Sequence, residues 1–337
     1  MQLNKNAPIF VNMENQDQFV SWLKIQNFKS VKNIKIDTKR VNIFIGEPNS
    51  GKSNILESLF YLSVNSTNFQ DQITRAKDIS NIAFDSNYND PISLNTNLLG
   101  FQISQTNQSN LFKIEYTKGD KILATANVNA SGYVSDSNDI FNTSFKYYSY
   151  KNLDTFSQDH RPFLAPPFGQ NLPYLLLSNP KLKKIVSEIF SQKGFRLVMK
   201  PVQKEIEIVK DKNDELYSYP YHTTSETLRR YAFMRLAIES NKDSVLIFDE
   251  PEANTFPFYS KMVAELIGAD ESNQYFIATH SPYLLMSLIE KTPLKDLNIV
   301  KTEMIDFETR ATSINPRLFG DMLEMGSDIF YELERLS

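Results

Sequence analysis

The chain has 337 residues, 41% of them hydrophobic and 23% charged, and no cysteine. That describes an ordinary globular protein of one large domain or two modest ones, and it excludes disulfides and thiolate metal centres. A formal net charge of −4 disfavours a globally basic nucleic-acid binder.

Residues 1–18 are polar and read as a flexible arm ahead of a single domain over 19–337. They lack the basic flank and apolar core of a secretory signal, and no apolar run reaches membrane-spanning length. The expectation is therefore a cytoplasmic protein that does not contact membrane. Residues 21–25 and 34–37 read as a hairpin, 41–45 as a buried strand and 54–60 as a helix. A polar stretch follows, in which 99–104, 111–116 and 122–128 alternate as strands do; the pattern predicts a β-meander insertion over 63–150. Residues 151–230 read as a crossover and helical lobe. Within it 153–173 is irregular, 180–192 is a helix closed by Lys193-Gly194, and 195–199 pairs with 205–210 ahead of a turn at 211–214. The spacing predicts an amphipathic helix over 227–239. Residues 231–290 also hold strands at 245–248 and 275–278 and helices at 258–268 and 282–290. Residues 291–337 read as a C-terminal cap. Neither a repeat nor a heptad run occurs.

Gly46-Glu47-Pro48-Asn49-Ser50-Gly51-Lys52-Ser53 fits G-x-x-x-x-G-K-[ST] at every fixed position, between the expected strand and helix. Glycines let successive backbone N–H groups turn toward phosphate oxygens, and the helix start adds its positive dipole end. Lys52 would reach the β- and γ-phosphates of ATP, and the Ser53 hydroxyl would ligate Mg²⁺.

The run 245–248 ends in Asp249-Glu250. Asp249 is placed to hold Mg²⁺ through water, and Glu250 to polarise an attacking water. The strand 275–278 ends in Thr279-His280, where a neutral imidazole can hydrogen-bond the γ-phosphate or the water. Ser225 stands at the N-cap of the 227–239 helix. In a head-to-tail dimer this helix end would face the partner's γ-phosphate. Arg229 and Arg230 are ambiguous: one could face the nucleotide or a dimer partner, but exposed arginines are usual on such a helix.

With these motifs in place, the chain resembles an ABC-type ATPase head of the SMC/RecF/OLD class, an α/β fold with a P-loop sheet, an antiparallel β lobe and a helical signature lobe. Asn27-Phe28-Lys29-Ser30 looks like that class's N-F-[RK]-S turn, and Gly51-Lys52-Ser53-Asn54-Ile55-Leu56-Glu57 like its G-K-S-N-[IL]-L-E form. Gly169-Gln170-Asn171-Leu172-Pro173, Phe248-Asp249-Glu250-Pro251-Glu252 and Thr279-His280-Ser281-Pro282 complete the set. The resemblance implies ATP hydrolysis with Ser225 as signature serine, Glu250 as catalytic glutamate and His280 as switch histidine. It also implies that the Lys29–Ser30 turn lies near base and sugar, and that Asn49, Ser50, Gly51, Lys52, Ser53 and Asn54 contact the nucleotide. The signature departs from the class, with Ser-Glu-Thr in place of Ser-Gly-Gly, which points to slow turnover. Residues 253–257 lack the usual histidine, and Gln102, Gln105 and Gln158 all remain open as the Q-loop glutamine. The chain has no heptads for SMC-style arms, and too few residues follow His280 for a TOPRIM nuclease. The resemblance thus implies a bare head working as a homodimer or higher homo-oligomer. It would switch a separate effector protein in antiviral defence or a toxin-like module. The alternative is a RecF-type repair ATPase acting on DNA, for which the acidic balance implies weak direct binding.

Overall fold

The computed structural model describes residues 18–317, except 64–72, 74–75, 109, 132–133, 139–142 and 158. Most of the expected arm, the end of the expected cap and Gln158 therefore lie outside the described residues. In chain order the elements are β1 (Trp22–Phe28), β2 (Val31–Asp37), β3 (Val41–Ile45), α1 (Lys52–Ser63), β4 (Ile92–Thr96), β5 (Gly100–Gln105), β6 (Leu111–Lys118), β7 (Lys121–Asn129), β8 (Val134–Asn138) and β9 (Phe145–Tyr148). Then come α2 (Leu172–Ser178), α3 (Pro180–Ser191), β10 (Phe195–Lys200), β11 (Glu205–Lys212), β12 (Glu215–Pro220), α4 (Glu226–Glu239), β13 (Val245–Asp249), α5 (Pro257–Ala269), β14 (Gln274–Ala278), α6 (Pro282–Lys291), β15 (Leu297–Ile305) and β16 (Glu308–Ile314).

Two large sheets sandwich α1. One has the order β16-β15-β3-β14-β13-β9, parallel throughout except for β16 at its edge. The other, β2-β1-β4-β5-β6-β7-β8, is antiparallel. A strand alternates its side chains, so one that is covered on both faces must be apolar at every position. β3, β13 and β14 follow this except at Asn42, Gln274 and the terminal Asp249, and the side chains of the two buried amides are bonded to backbone. Val41, Ile43, Ile45, Leu246, Phe248, Tyr275 and Ile277 face the helical layer. Phe44, Val245, Ile247, Phe276 and Ala278 face Ile55, Leu56, Leu59 and Phe60 of α1 and the second sheet. A third sheet, β10-β11-β12, is held to the helical layer by Ile206 and Ile208.

The α/β architecture matches the expectation, and several elements differ in detail. α4 is not amphipathic: Leu228, Arg229, Tyr231, Ala232, Phe233, Met234, Leu236, Ala237 and Ile238 are all buried. It runs between α3 and α5; Tyr148 of β9 and Tyr150 just after it meet Phe233 edge-on, and Gly169 leaves room for the Phe233 ring. β9, within the expected insertion, pairs with β13 in the P-loop sheet. β15 and β16, within the expected cap, extend that sheet beyond β3. The turn expected over 211–214 narrows to Asn213-Asp214, both left-handed, because β11 runs on to Lys212 and pairs with β12.

Candidate nucleotide site

The carboxyl ends of the parallel strands bring the motif residues together. β3 leads into the P-loop, where Gly46 (φ 154°), Asn49 (φ 64°) and Gly51 (φ 95°) make the tight path. The glycines are required by packing as well as by backbone angle. A Cβ on Gly51 would lie 1.9 Å from Thr309 Oγ1, and one on Gly46 would lie 2.2 Å from the Thr302 carbonyl. The β15–β16 hairpin is thus the outer wall of the loop.

Lys52 is buried at the start of α1. Its Nζ donates to the Gly46 and Glu47 carbonyls, at 2.8 Å each, and to Ser50 Oγ at 3.3 Å. Burial draws the amine down to about 8, against the opposing pull of Glu250, Asp249 and Glu47. Such a desolvated cation gains most when an anion arrives beside it. Ser50 also shares a 2.7 Å hydrogen bond with Thr302 Oγ1. Ser53 Oγ donates to Asp249 Oδ1 at 3.3 Å, linking α1 to the tip of β13. A hydroxyl and a carboxylate, both hard oxygens and neither fully buried, suit Mg²⁺ with part of its water shell kept. Among the described residues no group of three His, Cys, Asp or Glu side chains forms a metal cluster. The phosphate cradle and this oxygen pair therefore fit a Mg²⁺–nucleotide better than a metal held by protein alone.

The Lys29–Ser30 turn is drawn onto α1. Lys29 (φ 48°) pairs with the buried carboxylate of Glu57, which gives the last residue of the Gly51–Glu57 run a definite partner. Asn54 Nδ2 donates to Ser30 Oγ at 2.7 Å, and Ser30 Oγ lies 2.6 Å from Thr309 Oγ1.

Glu250 follows β13 in a left-handed conformation (φ 48°), its amide donating to the Ala278 carbonyl of β14. Its carboxylate is half-exposed, and Oε1 lies 3.4 Å from His280 Nε2. Burial and then the nearby Lys52 hold the His280 imidazole below its ordinary value, against Glu250. It is therefore neutral at pH 7 and can both donate and accept. Glu252, to which sequence reasoning gave no role, fixes this corner. Its Oε1 accepts from Thr279 Oγ1 at 2.5 Å, His280 N at 3.1 Å and Ser281 N at 3.2 Å. Burial raises its carboxyl, and Oε2 is buried with no partner among the described residues. Its place beside Asp249-Glu250 was the available signal.

A cavity of about 260 Å³ opens beside Ser53, Asp249 and Glu250. Tyr147, Tyr148, Ser149 and Tyr150 wall it, and so does Arg230. The Arg230 guanidinium lies 4.5 Å from the Tyr150 ring centroid, and its Nε bonds Glu226 at 2.8 Å. Arg229 is structural: it is buried and bonded to the Thr224 carbonyl, to Tyr150 Oη at 2.8 Å and to Asn152. Gln102 and Gln105 lie in β5, away from this cavity. Asn171 of the Gly169–Pro173 segment is fully buried. It bonds Arg161, Phe163 and Ala165 and so sets the path of the crossover. Ser225 is exposed at the start of α4, and its hydroxyl makes no capping bond.

Residues 41–287 match the family model described as "AAA domain, putative AbiEii toxin, Type IV TA system". The DNA replication and repair protein RecF of Clostridium kluyveri is 43% identical over 47 residues, 14% of this chain and 13% of that protein. RecF of Lactobacillus acidophilus is 28% identical over 165 residues, 48% of this chain and 40% of its own length. The chain thus spans well under two thirds of these relatives. In fold it is similar to the solved SMC head bound to the C-winged helix domain of ScpA, at 16% identity and a TM-score of 0.53, over 90% of this chain and 99% of that one. The chain therefore belongs to this AAA-domain family, and its fold is that of an SMC head.

Proposed function

We propose that the chain binds Mg²⁺·ATP at Lys52, Ser53 and Asp249, hydrolyses it slowly, and uses the nucleotide to close two heads against each other. The observation that carries this is the 3.3 Å contact between Ser53 and Asp249 beside a buried, desolvated Lys52. Mg²⁺ bound there would neutralise charge between the phosphates. Lys52 supplies the fixed cation at the phosphates, and the P-loop N–H groups supply dipoles that need no reorganisation. Glu250 orients the attacking water and takes up its proton, while neutral His280 holds that water or the γ-phosphate oxygen. The exposed Ser225 completes the partner's site, and Asn49, Ser50, Gly51, Asn54 and the Lys29–Ser30 turn line the rest.

Closure and reopening are the output, delivered to a separate effector protein; the family's link to a toxin–antitoxin system supports a defence or toxin-like setting. The RecF matches support a second reading, direct action on DNA. A titration of duplex DNA across salt separates the two, since phosphate contacts make affinity fall steeply as salt rises. Weak binding at physiological salt is expected at a net charge of −4. The test of the nucleotide reading is calorimetry with Lys52→Ala. Loss of most ATP affinity in a folded variant is expected, and unchanged affinity contradicts the assignment.

A further inference from the structure

The β15–β16 hairpin lies outside the segment that matches the family and carries its tip past the P-loop. Lys301 pairs with Ile45, the last residue before the loop, and Thr302 and Thr309 then pack on Gly46 and Gly51. The tip is a two-residue turn, Asp306 (φ 50°) and Phe307 (φ 64°), between the paired Ile305 and Glu308. Both positions are left-handed, as in the tight hairpin turns where Asn-Gly is favoured. A bulky aromatic there is strained, and such strain points toward function. The ring is also 88% exposed, beside Ile305 at 47% and Met304 at 42%, so it adds little to the core.

The order β16-β15-β3-β14-β13 gives the site a direction. Ser53, Asp249, Glu250 and His280 mark the metal and γ-phosphate on the β14–β13 side of the P-loop. A nucleotide threaded that way runs its sugar and base to the opposite side, toward the Lys29–Ser30 turn and the hairpin. Lys32 pairs with Glu308 at 2.8 Å, and the Thr309 amide donates to the Ser30 carbonyl at 2.8 Å, so hairpin tip and turn form one wall. Phe307 stands two residues beyond Thr309, roughly 7 Å at the rise of a strand. That is a reach comparable to the ribose between the phosphates and the base.

We infer that Phe307 is the base-stacking residue of this site, its ring covering the purine of the bound nucleotide. The inference rests on the nucleotide-binding reading above. Stacking uses the π-face that every base offers, so it contributes affinity without strong choice among purines.

Calorimetry with Mg²⁺·ATP and with Mg²⁺·tripolyphosphate, which has no base, tests this on the full chain. Phe307→Gly is expected to weaken ATP binding about tenfold and leave tripolyphosphate binding within about twofold. Phe307→Tyr is expected to bind both like the parent. Phe307→Gly should melt no lower than the parent, because glycine relieves the left-handed turn. Unchanged ATP affinity in Phe307→Gly, or an equal loss for both ligands, overturns the inference while leaving the P-loop assignment standing. A parent chain that binds neither ligand overturns the nucleotide reading and this inference with it.

Discussion

Around the P-loop the motif's side chains are already partnered within the chain. Lys52 is bonded to two loop carbonyls, Ser50 to Thr302, Asn54 to Ser30, and Lys29 to Glu57. At the start of α4, by contrast, Ser225 is exposed with no capping bond, and Glu226 pairs along its own helix with Arg230. Glu250 and His280 lie between these extremes, half-exposed and 3.4 Å apart. The difference teaches that the P-loop end is pre-organised by one chain, whereas the start of α4 leaves the Ser225 hydroxyl exposed. In our account, binding therefore belongs to the single head, and closure needs a second surface.

The sharpest way to break that division is to remove chemistry without touching binding. Glu250→Gln keeps the shape of the side chain and loses its basicity, so turnover should fall about 10²-fold or more with ATP still bound. Steady-state phosphate release checks this, and parental turnover would show that Glu250 is not the catalytic carboxylate. A smaller effect is expected at Glu252, which acts through the residues it holds. Glu252→Ala frees the Thr279–His280–Ser281 turn and should lower kcat about tenfold with little change in ATP affinity. Single-turnover assays beside equilibrium binding separate the two, and a matched loss of affinity would mean that Glu252 supports the fold rather than the catalytic corner.

The pre-organised end has a proton signature of its own. With its amine near 8 in the nucleotide-free chain, Lys52 is mostly neutral at about pH 9. Triphosphate charge favours the protonated form, so binding at that pH should take up close to about one proton, and at about pH 6.5 Lys52 should take up almost none. The sign follows from the direction of the shift: the free site binds the proton weakly and the filled site binds it tightly. Calorimetry in buffers of different ionisation enthalpy reads this directly. Equal uptake at the two pH values would assign the proton to another group.

The sequence and the structure agree best where a local pattern and a burial pattern coincide. β3, α1, β13 and β14 were legible because apolar runs end at residues with phosphate or metal chemistry. The whole β15–β16 hairpin was not legible as part of the site. Its strands carry Asn298, Lys301, Thr302 and Thr309 at buried positions, and nothing local shows that these polar groups sit against the P-loop and its sheet. β9 was hidden in the same way by Lys146, whose buried amine is bonded to Asn241 and Ser244 and drawn down to about 8 by burial. α4 was misread as amphipathic because its Arg229 looked solvent-facing, whereas Tyr150 and Asn152 hold it inside. These failures share a cause. A polar residue satisfied by a distant partner looks like surface to any local pattern.

The division between a self-sufficient phosphate end and an open signature end is tested most directly by sedimentation of Glu250→Gln with and without Mg²⁺·ATP, alone and combined with Ser225→Arg. The account predicts that ATP shifts Glu250→Gln to a dimer, and that Ser225→Arg abolishes the shift while each head still binds ATP. An assembly state indifferent to both ATP and Ser225→Arg would contradict it.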